Sequence, residues 1–276
     1  YILILENGRR LAGEDRYTRI NVANIKRIEI LNGAASALYG SDAIGGVINI
    51  ITDDTRNTVN VSSYTHYSGE GRLTESVNAD VNAGKFASYT SYQRRQAGSW
   101  QNNNIDENGY ETGRPTSVGF YSNTVNQRFV FNATDKLSFY ARGTYYDNKT
   151  RRPQDATYYA KSKGQFVQKD AYTYNLKHET YTYGAGMKYM INRSAYIDAE
   201  FYSDNFSSDY MYFKKSGSYL PGDRVTRKQV RYYNGNIKGI FRLGSRNKLS
   251  AGVEYVNEGL ESESDNIDSR HMYTLA

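Results

Sequence analysis

The feature that most restricts this chain is a two-residue alternation of apolar and polar side chains, sustained from about Thr58 onward. Leu137, Phe139, Ala141, Gly143 and Tyr145 share one parity, against Ser138, Tyr140, Arg142, Thr144 and Tyr146. Ile197, Ala199 and Phe201 repeat the pattern, as do Ile237, Gly239, Phe241 and Leu243, and Leu249, Ala251, Val253 and Tyr255. A helix would lose this parity within two turns, so these are strands with one apolar and one polar face. The longest apolar runs, Tyr1–Leu5 and Val47–Ile51, are strand-sized. They fall far short of the roughly 20 residues of a membrane helix, which excludes a helical membrane protein. Composition agrees: 28 Tyr and 24 Gly against 3 Pro favour pleated structure. An aromatic content of 14% argues against disorder. The absence of cysteine rules out disulfides, thiol nucleophiles and Cys-ligated metals.

The connections refine this reading. Tight polar turns at 83–85, 134–136, 191–194 and 244–247 alternate with long polar stretches near 99–117, 148–171, 213–227 and 259–270. The long stretches hold Pro115, Pro153 and Pro221. In an up-and-down meander every second connection lies at the same end, so one end carries short turns and the other long loops. That asymmetry is the pattern of outer-membrane barrels. A soluble sandwich shows the same two faces, but strands of about 12–16 residues favour a sheet that crosses a bilayer at a tilt. Tyr64, Tyr67, Tyr89, Tyr92, Tyr145, Tyr146, Tyr183, Tyr189, Tyr232 and Tyr233 then suit an aromatic girdle.

Residues 1–52 read differently. Tyr1–Leu5 is a short apolar run closed by Asn7-Gly8, and an arginine-rich stretch follows. Ile25–Leu31 reads as a second strand ending at Asn32-Gly33, and Ala34–Tyr39 as a short helix stopped by Gly40. Val47–Thr52 is an apolar strand. Together they predict a small mixed α/β unit.

Four elements within 28–52 carry a resemblance: Glu29-Ile30-Leu31-Asn32-Gly33, Ser36-Ala37-Leu38-Tyr39-Gly40, Ala43-Ile44-Gly45-Gly46, and Val47-Ile48-Asn49-Ile50-Ile51-Thr52. This run resembles the end of the plug domain of TonB-dependent outer-membrane receptors. Leu5-Glu6-Asn7-Gly8-Arg9-Arg10-Leu11 looks like that family's plug strand, turn and ligand loop. Asn32-Gly33-Ala34 departs from the Arg-Gly-Pro common in the family. The resemblance implies an antiparallel transmembrane β-barrel of 22-stranded type enclosing the plug. Residues 1–52 are then the C-terminal part of the plug, and 53–276 the first nine or ten barrel strands, the tenth beginning at His271. On this reading the chain is a fragment of a longer receptor, whose earlier plug segment would engage TonB. Gly40, Gly45 and Gly46 would let plug backbone approach the barrel wall.

The resemblance further implies a Gram-negative outer-membrane importer, not an enzyme, with no cofactor. Its partners would be the inner-membrane TonB complex, a ligand, and a surface lipoprotein. The ligand would be an iron complex, siderophore or haem, with cobalamin as the alternative. A passive or adhesive barrel is the rival of a different class. Arginine forks suit carboxylates, phosphates or catecholates. The first candidate ligand contacts are therefore Arg9, Arg10, Arg16, Tyr17 and Arg19, which can equally pair with wall carboxylates such as Asp198 or Glu200. The second set is Arg151, Arg152, Tyr158, Tyr159, Tyr210 and Tyr212. His66 and His271 are weak candidates for ligating a haem iron. Glu261, Glu263, Asp265 and Asp268 match no calcium motif and read as a solvated charge run. The net charge of +6 is spread along the chain, without the clustered stripe of a nucleic-acid binder.

Overall fold

A computed structural model describes residues 2–13, 18–33, 43–52, 59–101, 117–153, 156–160, 165–169, 173–212, 217–243 and 247–275. The amino-terminal unit is a four-stranded sheet built from β1 (Leu3–Glu6), β2 (Arg9–Arg10), β3 (Ile25–Asn32) and β4 (Gly46–Thr52), in the order β2-β1-β4-β3. β1 and β4 run parallel, whereas β2 and β3 pair antiparallel to their neighbours. A two-residue turn at Asn7-Gly8, both with positive φ, joins β1 to β2. Asn7 is tied to β4 by its amide to Thr52 Oγ1 at 2.7 Å and by its carbonyl to the Thr52 N–H at 3.0 Å. The central strands β1 and β4 bury side chains on both faces, Leu3, Leu5 and Val47 packing with Ala43 on one side and Ile50 with Leu11 and Ile20 on the other, whereas β3 is largely exposed. A 3-10 turn covers Val22–Asn24, and the helix expected over 34–39 lies outside the described residues.

The remainder forms a ten-stranded antiparallel meander. Its strands are β5 (Val59–Ser68), β6 (Arg72–Ala83), β7 (Phe86–Gln101), β8 (Ser117–Asn132), β9 (Leu137–Pro153), β12 (Thr173–Asn192), β13 (Ala195–Tyr212), β14 (Arg224–Leu243), β15 (Asn247–Ser262) and β16 (Ile267–Leu275). A separate hairpin, β10 (Ala156–Ala160) with β11 (Gln165–Lys169), is inserted between β9 and β12. The turns at 83–85, 134–136 and 191–194 fall where the sequence places them, all at one end, while residues 244–246 of the fourth lie outside the described residues. The tenth strand starts at Ile267 rather than His271.

The strands outrun the sequence expectation, β12 and β14 reaching 20 residues each. Residues 148–153, 224–227 and 259–262, which read as loop, continue β9, β14 and β15. At that level both faces carry polar side chains, so the apolar parity that marks a strand in sequence is lost. Two connections at the long-loop end are also short, at 69–71 and 263–266.

Register alignment sorts the two faces. Phe139, Met187, Ala199, Ile237 and Val253 form one cross-strand row on the outer face. Ile237 and Val253 are 61% and 60% exposed, far beyond what water tolerates over a continuous belt. Tyr145 and Tyr181 pack with tilted rings at 5.1 Å at the loop-side margin of this belt, and Phe86 packs against Phe129 at 5.8 Å at the turn-side margin. Not every tyrosine expected in a girdle belongs to it. Tyr146 and Tyr232 are 1% and 6% exposed and face the small sheet. Each directly follows or precedes an outer tyrosine, and successive strand residues point to opposite faces.

Candidate functional site

The small sheet lies against the polar face of the large one, which we call the wall. On one side buried charges hold the two together. Arg9 pairs with Glu200 on β13, and Arg142 Nη2 reaches the same carboxylate at 2.7 Å. Arg10 Nη1 lies 2.6 Å from Glu258 on β15, its guanidinium over the Tyr232 ring and its backbone N–H donating to Tyr202 Oη at 3.2 Å.

The most enclosed pair is Arg19 with Asp204, 4% and 0% exposed. Arg19 donates to both Asp204 oxygens, at 3.2 and 3.1 Å, and to the Ala12 carbonyl at 2.8 Å. Asp204 also accepts from the Ala12 N–H and the Thr182 hydroxyl, each at 2.5 Å. Ala12 continues into an apolar cluster with Tyr202, Phe206 and Tyr232. Gly13 has φ +71, and a Cβ there would fall on the Phe206 ring. This glycine makes the close approach to the wall. Gly46 does not: it packs under the Leu31 carbonyl of its own sheet, and Gly40 lies outside the described residues.

On the other side the described contacts are uncharged. Asn21 donates to Ser76 Oγ at 2.9 Å and accepts from Gln93 Nε2 at 2.7 Å. Asn24 donates to Ser91 Oγ at 3.1 Å. Between the β1–β2 hairpin, the 3-10 turn and the turn-side half of the wall lies a cavity of about 520 Å³. Its lining includes six cationic side chains, Arg9, Arg10, Arg128, Arg142, Lys188 and Lys238, against three carboxylates, Glu6, Asp198 and Glu200; Arg10 has a further carboxylate partner in Glu258.

Glu6 contributes a pH-dependent element. Burial raises its carboxyl above the usual 4.5, against the lowering pull of Arg19 and Arg9 and with a smaller upward push from Asp204. The folded unit therefore holds this proton to higher pH than the unfolded chain does. Its contribution to stability is full below pH 4.5, declines as pH rises towards the raised value, and levels off above it. Glu6→Gln is expected to remove that decline and to raise the urea midpoint of the small sheet at neutral pH. A lower midpoint at pH 7 would refute the assignment.

The sequence candidates separate into groups that the structure does not bring together. Arg9, Arg10 and Arg19 are engaged by wall carboxylates. Tyr210 shares the small-sheet-facing parity of β13, ten residues from Glu200, or about 33 Å along the strand. Tyr212 stacks on Tyr219 at 4.6 Å near the loop end. No single ligand spans Arg9 and Tyr210. Arg151 is on the outer face, in the parity of Tyr145. Arg16 and Tyr17 lie outside the described residues; Arg152, Tyr158 and Tyr159 are placed by backbone alone, on β9 and β10. His66 is in register with Thr74, two residues from Ser76 and on the same inner face at one edge of the sheet, and His271 stands on the outer face at the other. They cannot ligate one ion together, and among the described residues no cluster of His, Asp or Glu suits a metal. Sequence reasoning missed Tyr202, Asp204 and Phe206. Their signal was available as three consecutive inward positions on one strand, but their partners lie about 190 residues upstream.

Residues 1–47 match the family model described as the TonB-dependent Receptor Plug Domain. The chain carries a TonB-dependent receptor plug. Its fold is that of solved siderophore receptors and an iron transporter. One is the ferric enterobactin receptor of Pseudomonas aeruginosa, in a G324V mutant form, with 13% identity and a TM-score of 0.72. That match covers 99% of this chain and 45% of the receptor. The siderophore receptor PirA of Acinetobacter baumannii has 15% identity and a TM-score of 0.66, over 94% of this chain and 40% of its own. The FrpB iron transporter of Neisseria meningitidis has 14% identity and a TM-score of 0.69, over 95% and 42%. The chain thus spans less than half the length of these proteins.

Proposed function

We propose that this chain is the plug-and-wall segment of an outer-membrane receptor that imports an iron complex, driven by the TonB complex. Residues 1–52 act as plug and 53–276 as the first part of the barrel. The observation that carries the reading is the pairing of two opposite surfaces on one sheet. Its polar face grips the plug through Arg9–Glu200 and Arg19–Asp204, while its other face is an apolar belt bounded by aromatic rows. A sheet with those two faces serves as a lipid-embedded wall around a removable stopper. Covalent chemistry is not required, since binding and gating suffice. The cargo of this reading is an iron complex, siderophore or haem, with cobalamin as the alternative.

In this reading Arg9, Arg10 and Arg19 are latches. Ligand contact belongs to the loop-side surface, with Tyr210 and Tyr212, the loop-side residues Arg152, Tyr158 and Tyr159, and Arg16 and Tyr17 as contributors. The full-length receptor, expressed in cells lacking their own siderophore receptors, is expected to restore growth on ferric enterobactin or another ferric siderophore as sole iron source. Growth should be lost when TonB is deleted. Failure on siderophores, haem and cobalamin alike would overturn the proposal.

A further inference from the structure

The two ends of the wall treat their cations differently. Near the loop end the cations come with carboxylates. Lys177 lies 2.8 Å from Glu179 and Arg227 2.6 Å from Asp209, while Arg224 with Glu263 and Arg231 with Glu261 are each 3.1 Å apart. At the turn end Lys85, Lys136, Arg193 and Arg242 are all exposed. None of the four meets a carboxylate among the described residues. The Lys85 ammonium donates to the Ala133 carbonyl at 3.2 Å, which holds it at its turn. Asp135 is the one acidic residue in the segments 83–85, 134–136 and 191–194.

These cations form one row. Backbone hydrogen bonds chain the turns together: the Asn132 N–H donates to the Lys85 carbonyl at 2.7 Å, the Met190 N–H to the Lys136 carbonyl at 2.7 Å, and the Arg242 N–H to the Ser194 carbonyl at 2.8 Å. From β7 to β14 the row crosses five inter-strand spacings, or about 24 Å. It also borders the apolar belt. Phe86 follows Lys85, Leu137 follows Lys136, Ile191 stands two residues before Arg193, and Leu243 follows Arg242. Phe86, Ile191 and Leu243 are exposed on the outer face. Lysine and arginine stems can lie along such an apolar margin while their charged heads stay in the polar layer beside it.

We propose that this rim binds the phosphate headgroups of anionic phospholipid in the leaflet at the turn end of the wall. The proposal rests on the reading of the sheet as a lipid-embedded wall, and adds the lipid class and the leaflet that this end prefers. A cation held beside the belt meets a headgroup phosphate in a layer less polar than bulk water, where their attraction is stronger. A zwitterionic headgroup brings its own ammonium with the phosphate, so it gains little from the same row. The loop-end cations offer no such preference, because a carboxylate already stands beside each of them.

The test uses the purified full-length receptor in detergent, given equimolar phosphatidylglycerol and phosphatidylcholine with identical acyl chains. Native mass spectrometry is expected to show phosphatidylglycerol retained at least about tenfold in preference, since one cation beside an anionic surface already supplies about fivefold. Replacing Lys85, Lys136, Arg193 and Arg242 together by Gln should bring the two lipids to near-equal retention. Replacing Lys177, Arg224, Arg227 and Arg231 together by Gln removes the same charge from the other end and should leave the preference unchanged. Equal retention of both lipids by the unsubstituted receptor, a preference that survives in the turn-end variant, or an equal drop in both variants would overturn the proposal. Displacement of the lipid by excess inorganic phosphate would also overturn it, by showing a site for a free anion. If the unsubstituted receptor retains neither lipid, the lipid-embedded wall itself fails.

Discussion

Asp204→Ala is expected to weaken plug docking by about 3–5 kcal/mol, because it strips the counter-charge from an arginine that stays buried. Asp204 is 0% exposed and serves four donors at once: both Arg19 amino nitrogens, the Ala12 N–H and the Thr182 hydroxyl. Alanine leaves each of them without its acceptor in a site that the Phe206 cluster keeps dry. The change is read as lost hydrogen-exchange protection at the Ala12 amide and as earlier release of the plug in urea. The double replacement Arg19→Met with Asp204→Leu should recover most of the loss, since removing both charges also removes their desolvation cost. A loss below about 1 kcal/mol for Asp204→Ala would show that water reaches the pair.

Ile237→Arg is expected to destabilise insertion by about 2–4 kcal/mol, the cost of a cation at the mid-plane of a lipid-facing strand. Ile237 lies on the outer face of β14, four residues from Tyr233 on the loop side and four from Phe241 on the turn side. Its cross-strand neighbours are Ala199 and Val253, so an arginine would find no carboxylate among them. Gln229→Arg is the matched control, on the same face but four residues beyond Tyr233, where the cost should be about 0–1 kcal/mol. Reversible urea titration of folding into lipid vesicles measures both. Equal costs at the two positions would mean that water, not lipid, covers the face, as a soluble sandwich requires.

The meander was legible because burial on one face only writes a parity into each strand. The tight turns were legible because they interrupt it. The loop-side extensions of β9, β14 and β15 were not, since above the lipid level neither face selects apolar residues. Tyr145 and Tyr146 show how far parity alone reaches. Being adjacent, they cannot both face lipid; the parity shared with Leu137 and Phe139 puts Tyr145 outside, and the contact of Tyr146 with Thr18 agrees by turning Tyr146 inward. The plug arginines were legible as functional groups, but their partners were not. Arg9 and Arg19 find carboxylates 191 and 185 residues away, separations that no local pattern encodes. The uneven attachment of the plug became visible only when all of those long-range partners could be placed on particular strands.

The same separations govern the order of assembly. The ribosome delivers Arg9, Arg10 and Arg19 long before Glu200, Asp204 and Glu258, the groups that will neutralise them. Until β13–β15 pair into the wall, these three arginines have no counter-charge to dock against, and contacts this distant in sequence form slowly. The hydrogen bonds to β6 and β7 become available first, so they can hold the plug near its seat before the charges lock it there.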